Sequence, residues 1–143
     1  MTDDVLPNPT TRFGARVAKR LRDDMVIWLT TVGADGTPQP NPVWFLADGS
    51  TILVYNQTTA RRLVHVRRNP RVALNFDGDG RGGDIIVLSG RAEIVDEQPL
   101  AHEVPAYLDK YSAAAARVSG DVKAFSAAYP VALRITIDKV RGF

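Results

Sequence analysis

Tyr55-Asn-Gln-Thr-Thr-Ala-Arg-Arg-Leu-Val-His-Val-Arg-Arg-Asn-Pro-Arg-Val-Ala-Leu-Asn-Phe76 reads as a strand end, a turn of amides and hydroxyls, one short helix, and a new strand entered through Asn69-Pro70. Arg61, Arg62, Arg67, Arg68 and Arg71 all fall in it, and no acid stands among them. Backbone donors at a helix start, threonine hydroxyls and guanidinium forks on one turn are the chemistry of phosphate recognition. A solvated helix face would mix lysine and glutamate with the arginines, and neither occurs. A nucleic-acid contact would add exposed aromatics between the cations or a reading helix. A phosphate or other anion site is the leading reading, with a solvated face and a nucleic-acid contact behind it.

Working outward, Thr10 or Thr11 is placed to cap a helix running to about Arg22, with Phe13, Val17 and Leu21 on its buried side. Arg12, Arg16 and Arg20 make a second stripe, which reads as a solvated face. Met25–Val32 is rich in β-formers, Gly33–Pro38 carries turn chemistry, and strands follow at Asn41–Leu46 and Thr51–Tyr55 around the tight turn Asp48-Gly49. Beyond the basic helix, Arg71–Phe76 and Ile85–Val95 are two more strands, the second interrupted by Gly90, a mark of a bulge or a close backbone approach. From Gln98, Leu100, Val104, Leu108 and Tyr111 are spaced for a helix that stops at Gly120. Asp121 caps another short helix through Ala128, and Val131–Asp138 alternates as a final strand. Residues 1–10 read as a polar arm. One domain, 1–143, is expected, mainly β (α+β): an antiparallel barrel closed by its last strand, with peripheral helices and no free strand edges.

The totals exclude several classes. A formal charge of +2 is too small for a nucleic-acid coat, and 14 of the 18 cations are arginine, the residue suited to bidentate contacts. No cysteine is present, which removes disulfides, thiolate nucleophiles and cysteine metal sites. No signal-peptide pattern or membrane-length apolar run is seen, so a cytoplasmic location without membrane contact is expected. His65 and His102 lack metal-ligand spacing, and no metal site is expected. Gly78-Asp-Gly-Arg-Gly-Gly83 satisfies G-x-G-x-x-G but leads into the strand-like Asp84-Ile-Ile-Val-Leu88, so it reads as a flexible hairpin loop rather than a dinucleotide fingerprint. Asp77 and Asp79 read as a solvated turn. No triad or paired-carboxylate arrangement can be assembled and no catalytic residue is named, so any reactive group arrives on a cofactor.

Thr30-Thr-Val-Gly-Ala-Asp-Gly-Thr-Pro-Gln-Pro-Asn-Pro-Val-Trp44, the turn and basic helix ending Arg68-Asn-Pro-Arg-Val72, Leu88-Ser-Gly-Arg-Ala-Glu-Ile94 and Lys139-Val-Arg-Gly-Phe143 stand in this order along the chain. Taken together, they resemble the FMN-binding split-barrel superfamily of pyridoxamine 5′-phosphate oxidase. Within it, Asn41-Pro-Val-Trp44 together with Asp77-Gly-Asp-Gly-Arg-Gly-Gly-Asp84 is most similar to an actinobacterial branch that uses the deazaflavin coenzyme F420.

The resemblance implies a split barrel, a homodimer with two sites at its interface, and a flavin-type cofactor, F420 with FMN as the alternative. Arg62 stands at the family's phosphate-binding lysine, seven residues before Asn69-Pro70, and Arg61 at a neighbouring basic position. Asn56, Gln57, Thr58 and Thr59 match the turn around the phosphate or ribityl chain. Asn41, Pro42, Val43 and Trp44 match the strand along the ring. The Gly82 loop and Arg141-Gly-Phe143 resemble segments lent by the second protomer. Because the end of the chain lacks the arginine- and histidine-bearing tail of the true oxidases, oxidation of pyridoxamine phosphate is not expected. Hydride transfer between deazaflavin and an unsaturated small molecule is the leading expectation. An FMN oxidase or reductase, and a non-catalytic flavin, deazaflavin or haem binder, are the alternatives, and Arg12, Arg16 and Arg20 are candidates to attract an acidic cofactor tail.

Overall fold

A computed structural model describes residues 5–143; the first part of the N-terminal arm lies outside the described residues. Helix α1 (Arg12–Asp23) begins where the Thr11 hydroxyl accepts from the Gly14 amide, and it buries Gly14, Val17 and Leu21. Strands β1 (Ile27–Val32), β2 (Pro38–Val43), β3 (Leu46–Asp48) and β4 (Thr51–Asn56) follow, then α2 (Arg61–Arg68), β5 (Arg71–Asn75) and β6 (Ile86–Ile94). A 3-10 turn at Ala101–Glu103 leads to α3 (Pro105–Ser119), α4 (Val122–Ala128) and the long strand β7 (Val131–Gly142).

All pairings are antiparallel, in the order β2-β1-β5-β6-β7-β4-β3. The expected ladder-closed barrel is therefore corrected: the sheet curls into a half-barrel whose ends, β2 and β3, are joined only through Trp44 and Phe45. The expected strand Asn41–Leu46 is broken at these two residues for a reason that lies far away in sequence. The Tyr111 hydroxyl accepts from the Phe45 amide at 2.9 Å, and Lys110 Nζ donates to the Phe45 carbonyl at 2.9 Å. With its backbone groups satisfied there, Phe45 needs no strand partner.

Edge strand β2 is protected by composition. Leu29, Thr31 and Ile27 face Asn41, Gln39 and Val43, while Pro38, Pro40 and Pro42 alternate with them. Proline lacks an N–H, so these positions turn away from β1 and leave an outer edge with carbonyl acceptors but no donors.

The interior of the curl holds Leu29, Phe45, Ile52, Leu74, Leu88, Leu133 and Ile135, all fully buried. Helix α1 packs toward β3 and Phe76, while Leu63 and Val66 of α2 cover the other end, beside β1 and β6. The ladder of β6 against β7 shifts register at Ser89/Gly90. A Cβ on Gly90 would lie 2.2 Å from the Thr136 carbonyl oxygen, so the glycine serves both a bulge and a close approach. A second, aromatic core lies between the β3–β4–β7 side of the sheet and α3–α4, built on Tyr55, Tyr107, Tyr111 and Phe125.

Two further expectations change. The Arg12-Arg16-Arg20 stripe is not simply a solvated face: Arg16 meets Asp84 at 2.8 Å, and Arg20 meets Asp84 at 2.6 Å and Asp24 at 2.7 Å. The glycine loop is correspondingly tied down. Arg20 also donates to the Asp77 carbonyl (2.8 Å), Trp28 Nε1 to the Asp77 carboxylate (3.0 Å), and the Asp79 carboxylate accepts from the amides of Arg81 and Gly83. No described helix is long and apolar enough to cross a membrane.

Candidate functional site

Arg62 lies at the meeting point of two cavities. Its Nε donates to Asn56 Oδ1 at 2.5 Å, and Asn56 Nδ2 donates to the carbonyls of Val54 and Val131 at 3.0 Å each. Asn56 is fully buried, so it serves as the bracket that orients the guanidinium and has no surface to offer a ligand. Among the described residues no carboxylate lies within 4 Å of Arg62, unlike Arg16, Arg20, Arg22 and Arg71. Partial burial lowers the Arg62 pKa from the ordinary arginine value, with nearby Tyr129 acting the other way. An arginine stays charged under such a shift, so a partly desolvated cation without an acid faces both cavities.

The first cavity, ≈ 620 Å³, lies between the β1–β2 turn and α2 and is polar; Gly33, Asp35, Gln39, Asn41, Arg61 and His65 line it along with Arg62. His65 Nδ1 is hydrogen-bonded to the buried Thr31 hydroxyl at 2.8 Å, which fixes the imidazole against β1. Helix α2 has no side-chain cap; its Leu63 amide donates to the Ala60 carbonyl, which leaves the Arg61 and Arg62 amides for an anion. The second cavity, ≈ 300 Å³, lies between the β2 end, the β4 end and α4. Pro42, Val43, Trp44, Tyr55, Gln57, Arg62, Phe125 and Tyr129 line it.

Its walls are stacked rings. Trp44 stacks on Tyr111 (centroids 4.9 Å apart, planes 10° apart) and on Phe125 (5.2 Å, 21°), and Phe125 stacks on Tyr129 (4.6 Å, 18°). A separate cleft of ≈ 570 Å³ between α1, β3 and α3, bordered by Leu21, Leu46 and Lys110, shares no lining residue with either cavity.

The structure thus distributes Asn41, Pro42, Val43, Trp44, Gln57, Arg61 and Arg62 over two cavities that share Arg62, holds Arg62 through the buried Asn56, and leaves Thr58 and Thr59 exposed and lining neither cavity. His65, Asp35, Tyr55, Phe125 and Tyr129 were not among the site residues expected from the sequence. His65 could have been found at i+4 from Arg61 on the same helix face, and Tyr129 at i+4 from Phe125. That α4 folds back beside β4 had no local signal. The described residues hold no group of three His, Asp or Glu able to bind a metal.

The sequence model described as pyridoxamine 5′-phosphate oxidase matches residues 13–143. The chain belongs to the pyridoxamine 5′-phosphate oxidase family. Among solved structures of that split-barrel fold, a conserved hypothetical protein from Mycobacterium tuberculosis is 25% identical, with 89% of this chain and 81% of that one aligned at a TM-score of 0.68. A structure described as an F420 reductase is 23% identical over 85% of this chain and 92% of its own, at 0.65. HutZ, the haem storage protein from Vibrio cholerae, is 14% identical over 92% of this chain and 95% of its own, at 0.64. The last two show a common fold; one is described as a reductase and the other as a storage protein, so the fold does not by itself choose the chemistry. No curated protein matches the sequence.

Proposed function

We propose that the two cavities together bind a phosphorylated flavin-type cofactor, F420 in the first place, and that the protein is an F420-dependent oxidoreductase acting on an unsaturated small molecule. One observation carries the reading: Arg62, bracketed by Asn56 and free of any described acid partner, joins a polar cavity to an aromatic one. A ligand with an anionic tail and a flat ring matches that sequence of environments. When bound, reduced F420 supplies a hydride from a ring carbon.

The chain's own part is binding and orientation. Arg61, Arg62 and the first amides of α2 would hold the phosphate, the Pro42–Trp44 segment would flank the ring, and Trp44, Phe125 and Tyr129 would exclude water. No carboxylate lines the aromatic cavity, so solvent is the proton source in this scheme.

A homodimer belongs to the same proposal. Helices α3 and α4 cover the outer face of the β3–β4–β7 side. On the other side, Thr30, Ala73 and Ser89 form a row of small, half-buried residues across three strands, next to Trp28, Asn75 and Val87. A second copy would complete that face.

Titration of F420 and FMN into wild type and Arg62→Ala tests the assignment. Wild type is expected to prefer F420, and the variant to lose about 1.5–3 kcal/mol, or roughly ten- to a hundredfold in affinity. Tighter binding of FMN would move the protein to the FMN alternative. Hemin binding with neither flavin-type cofactor bound would exclude both.

A further inference from the structure

We propose that the ≈ 570 Å³ cleft between α1, β3 and α3 is a second binding site, which takes a small uncharged aldehyde as a reversible imine on Lys110. It shares no lining residue with the two cavities around Arg62, so the inference does not depend on the cofactor assignment.

The chain has four lysines, of which Lys110 is half-buried while Lys19, Lys123 and Lys139 are exposed. Lys110 Nζ donates to the Phe45 carbonyl at 2.9 Å, and it stands 3.7 Å from the centroid of the Phe45 ring and 5.2 Å from that of Tyr111. Phe45 and Tyr111 are fully buried, so the amine is held at one place against a packed wall. Among the described residues no carboxylate lies within 4 Å of this Nζ, although Asp23 and Asp109 line the same cleft. Asp23 is already taken by Lys19 and Arg22.

An amine adds to a carbonyl only through a free lone pair. Burial lowers Lys110 to about 8, with Asp24 and Asp23 acting the other way. Near that pH roughly half of the molecules carry the neutral amine, against under about 1% for an ordinary lysine. The lone pair attacks the aldehyde carbon, and the carbonyl oxygen takes up the amine proton to give a carbinolamine. With one more proton from solvent, water leaves as the C=N bond forms; nothing is oxidised or reduced.

The resulting iminium keeps one N–H for the Phe45 carbonyl and its positive charge beside the two rings, the contacts that the ammonium already makes. An acyl group would leave a neutral amide there and forfeit the attraction between cation and ring. Leu6, Ala18, Leu21, Leu46, Ala47 and Ala106 supply an apolar lining for the aldehyde's body. The charges of the lining, Arg22 and the iminium against Asp23 and Asp109, already balance, so an uncharged aldehyde fits.

Competitive reductive labelling tests the proposal. The full chain is treated with benzaldehyde and cyanoborohydride near pH 8, and the labelling rate of each lysine is read by peptide mass spectrometry. Lys110 is expected to label about tenfold or more faster than Lys19, Lys123 and Lys139, at a rate that saturates with benzaldehyde. In urea the four should become equal. Ala106, exposed one turn before Lys110 on α3, tests the cleft itself: Ala106→Phe should slow Lys110 about three- to tenfold and leave the other three unchanged.

Native Lys110 labelled no faster than the exposed lysines would overturn the proposal. So would a preference that survives urea, or one that Ala106→Phe leaves untouched with the fold intact by circular dichroism. Glyoxylate, an anionic aldehyde, should prefer Lys110 less than benzaldehyde does. Equal selectivity would show a reactive amine without a seat, and would contradict the site.

Discussion

Arg62 and Asn56 work as a pair in which the fully buried partner aims the half-buried one. Asn56→Ala would leave the Val54 and Val131 carbonyls without a side-chain donor and release the Arg62 Nε. The expected result is a stability loss of about 1–3 kcal/mol in chemical denaturation, with cofactor affinity falling toward that of Arg62→Ala. A stable variant with unchanged affinity would show that the bracket does not matter.

Lys110 offers a second test on one residue. Burial lowers it to about 8, with Asp24 and Asp23 acting the other way, while an unfolded lysine titrates near ~10.4. Between those values the unfolded chain holds a proton that the folded chain releases, so stability rises with pH across about 8 to 10. The Phe45 ring, 3.7 Å from Nζ, favours the charged form and makes the rise shallower. Burial raises Tyr107 and Tyr111, which reverses the trend above about pH 10, where unfolded tyrosines ionise first. Wild type should therefore gain on Lys110→Met between about pH 8 and 10 in thermal melts; parallel curves would contradict it.

Among the elements, the β6–β7 bulge and the α1–loop clamp make separable predictions. Gly90→Ala drives a methyl into the Thr136 backbone and should cost about 1–3 kcal/mol. Gly80→Ala meets no neighbour and bears only its φ of +81°, roughly 1–2 kcal/mol. Asp84 has a φ of 55°, which asparagine also tolerates. Asp84→Asn thus removes the charge shared by Arg16 and Arg20 while keeping the backbone, and should lower stability by about 1–3 kcal/mol while speeding proteolysis within 78–83.

These elements also show what could be read beforehand. The caps at Thr11 and Asp121, the stop at Gly120, the bulge at Gly90 and the alternation of β7 are local in their causes, and each stood in the sequence. The break at Trp44–Phe45 was not legible because its cause, Tyr111 and Lys110, is more than sixty residues away. The arginine stripe of α1 was misread for the same reason: its acid, Asp84, joins it only through the fold. In the site, strand β2 and Arg61–Arg62 were legible as a pattern, whereas the aromatic wall from α4 depended on tertiary packing.

At the scale of the whole molecule, two helices cover the ends of a curled sheet, two more cover half of its outer face, and the remaining half displays small residues. If a second copy covers that half, Ala73→Glu should shift the protein from dimer to monomer in light scattering at micromolar concentration, with its circular dichroism retained. Cofactor affinity should fall with it, because the proposed sites lie at the dimer interface. A monomeric wild type would refute the dimer while leaving the Arg62 site intact.

The most direct test of the central claim is a crystal structure with F420 bound. The expected density places the phosphate within hydrogen-bonding distance of the Arg62 guanidinium, with the ring leading toward Trp44. A ligand seated away from Arg62, or that guanidinium turned to solvent beside an occupied site, would contradict it.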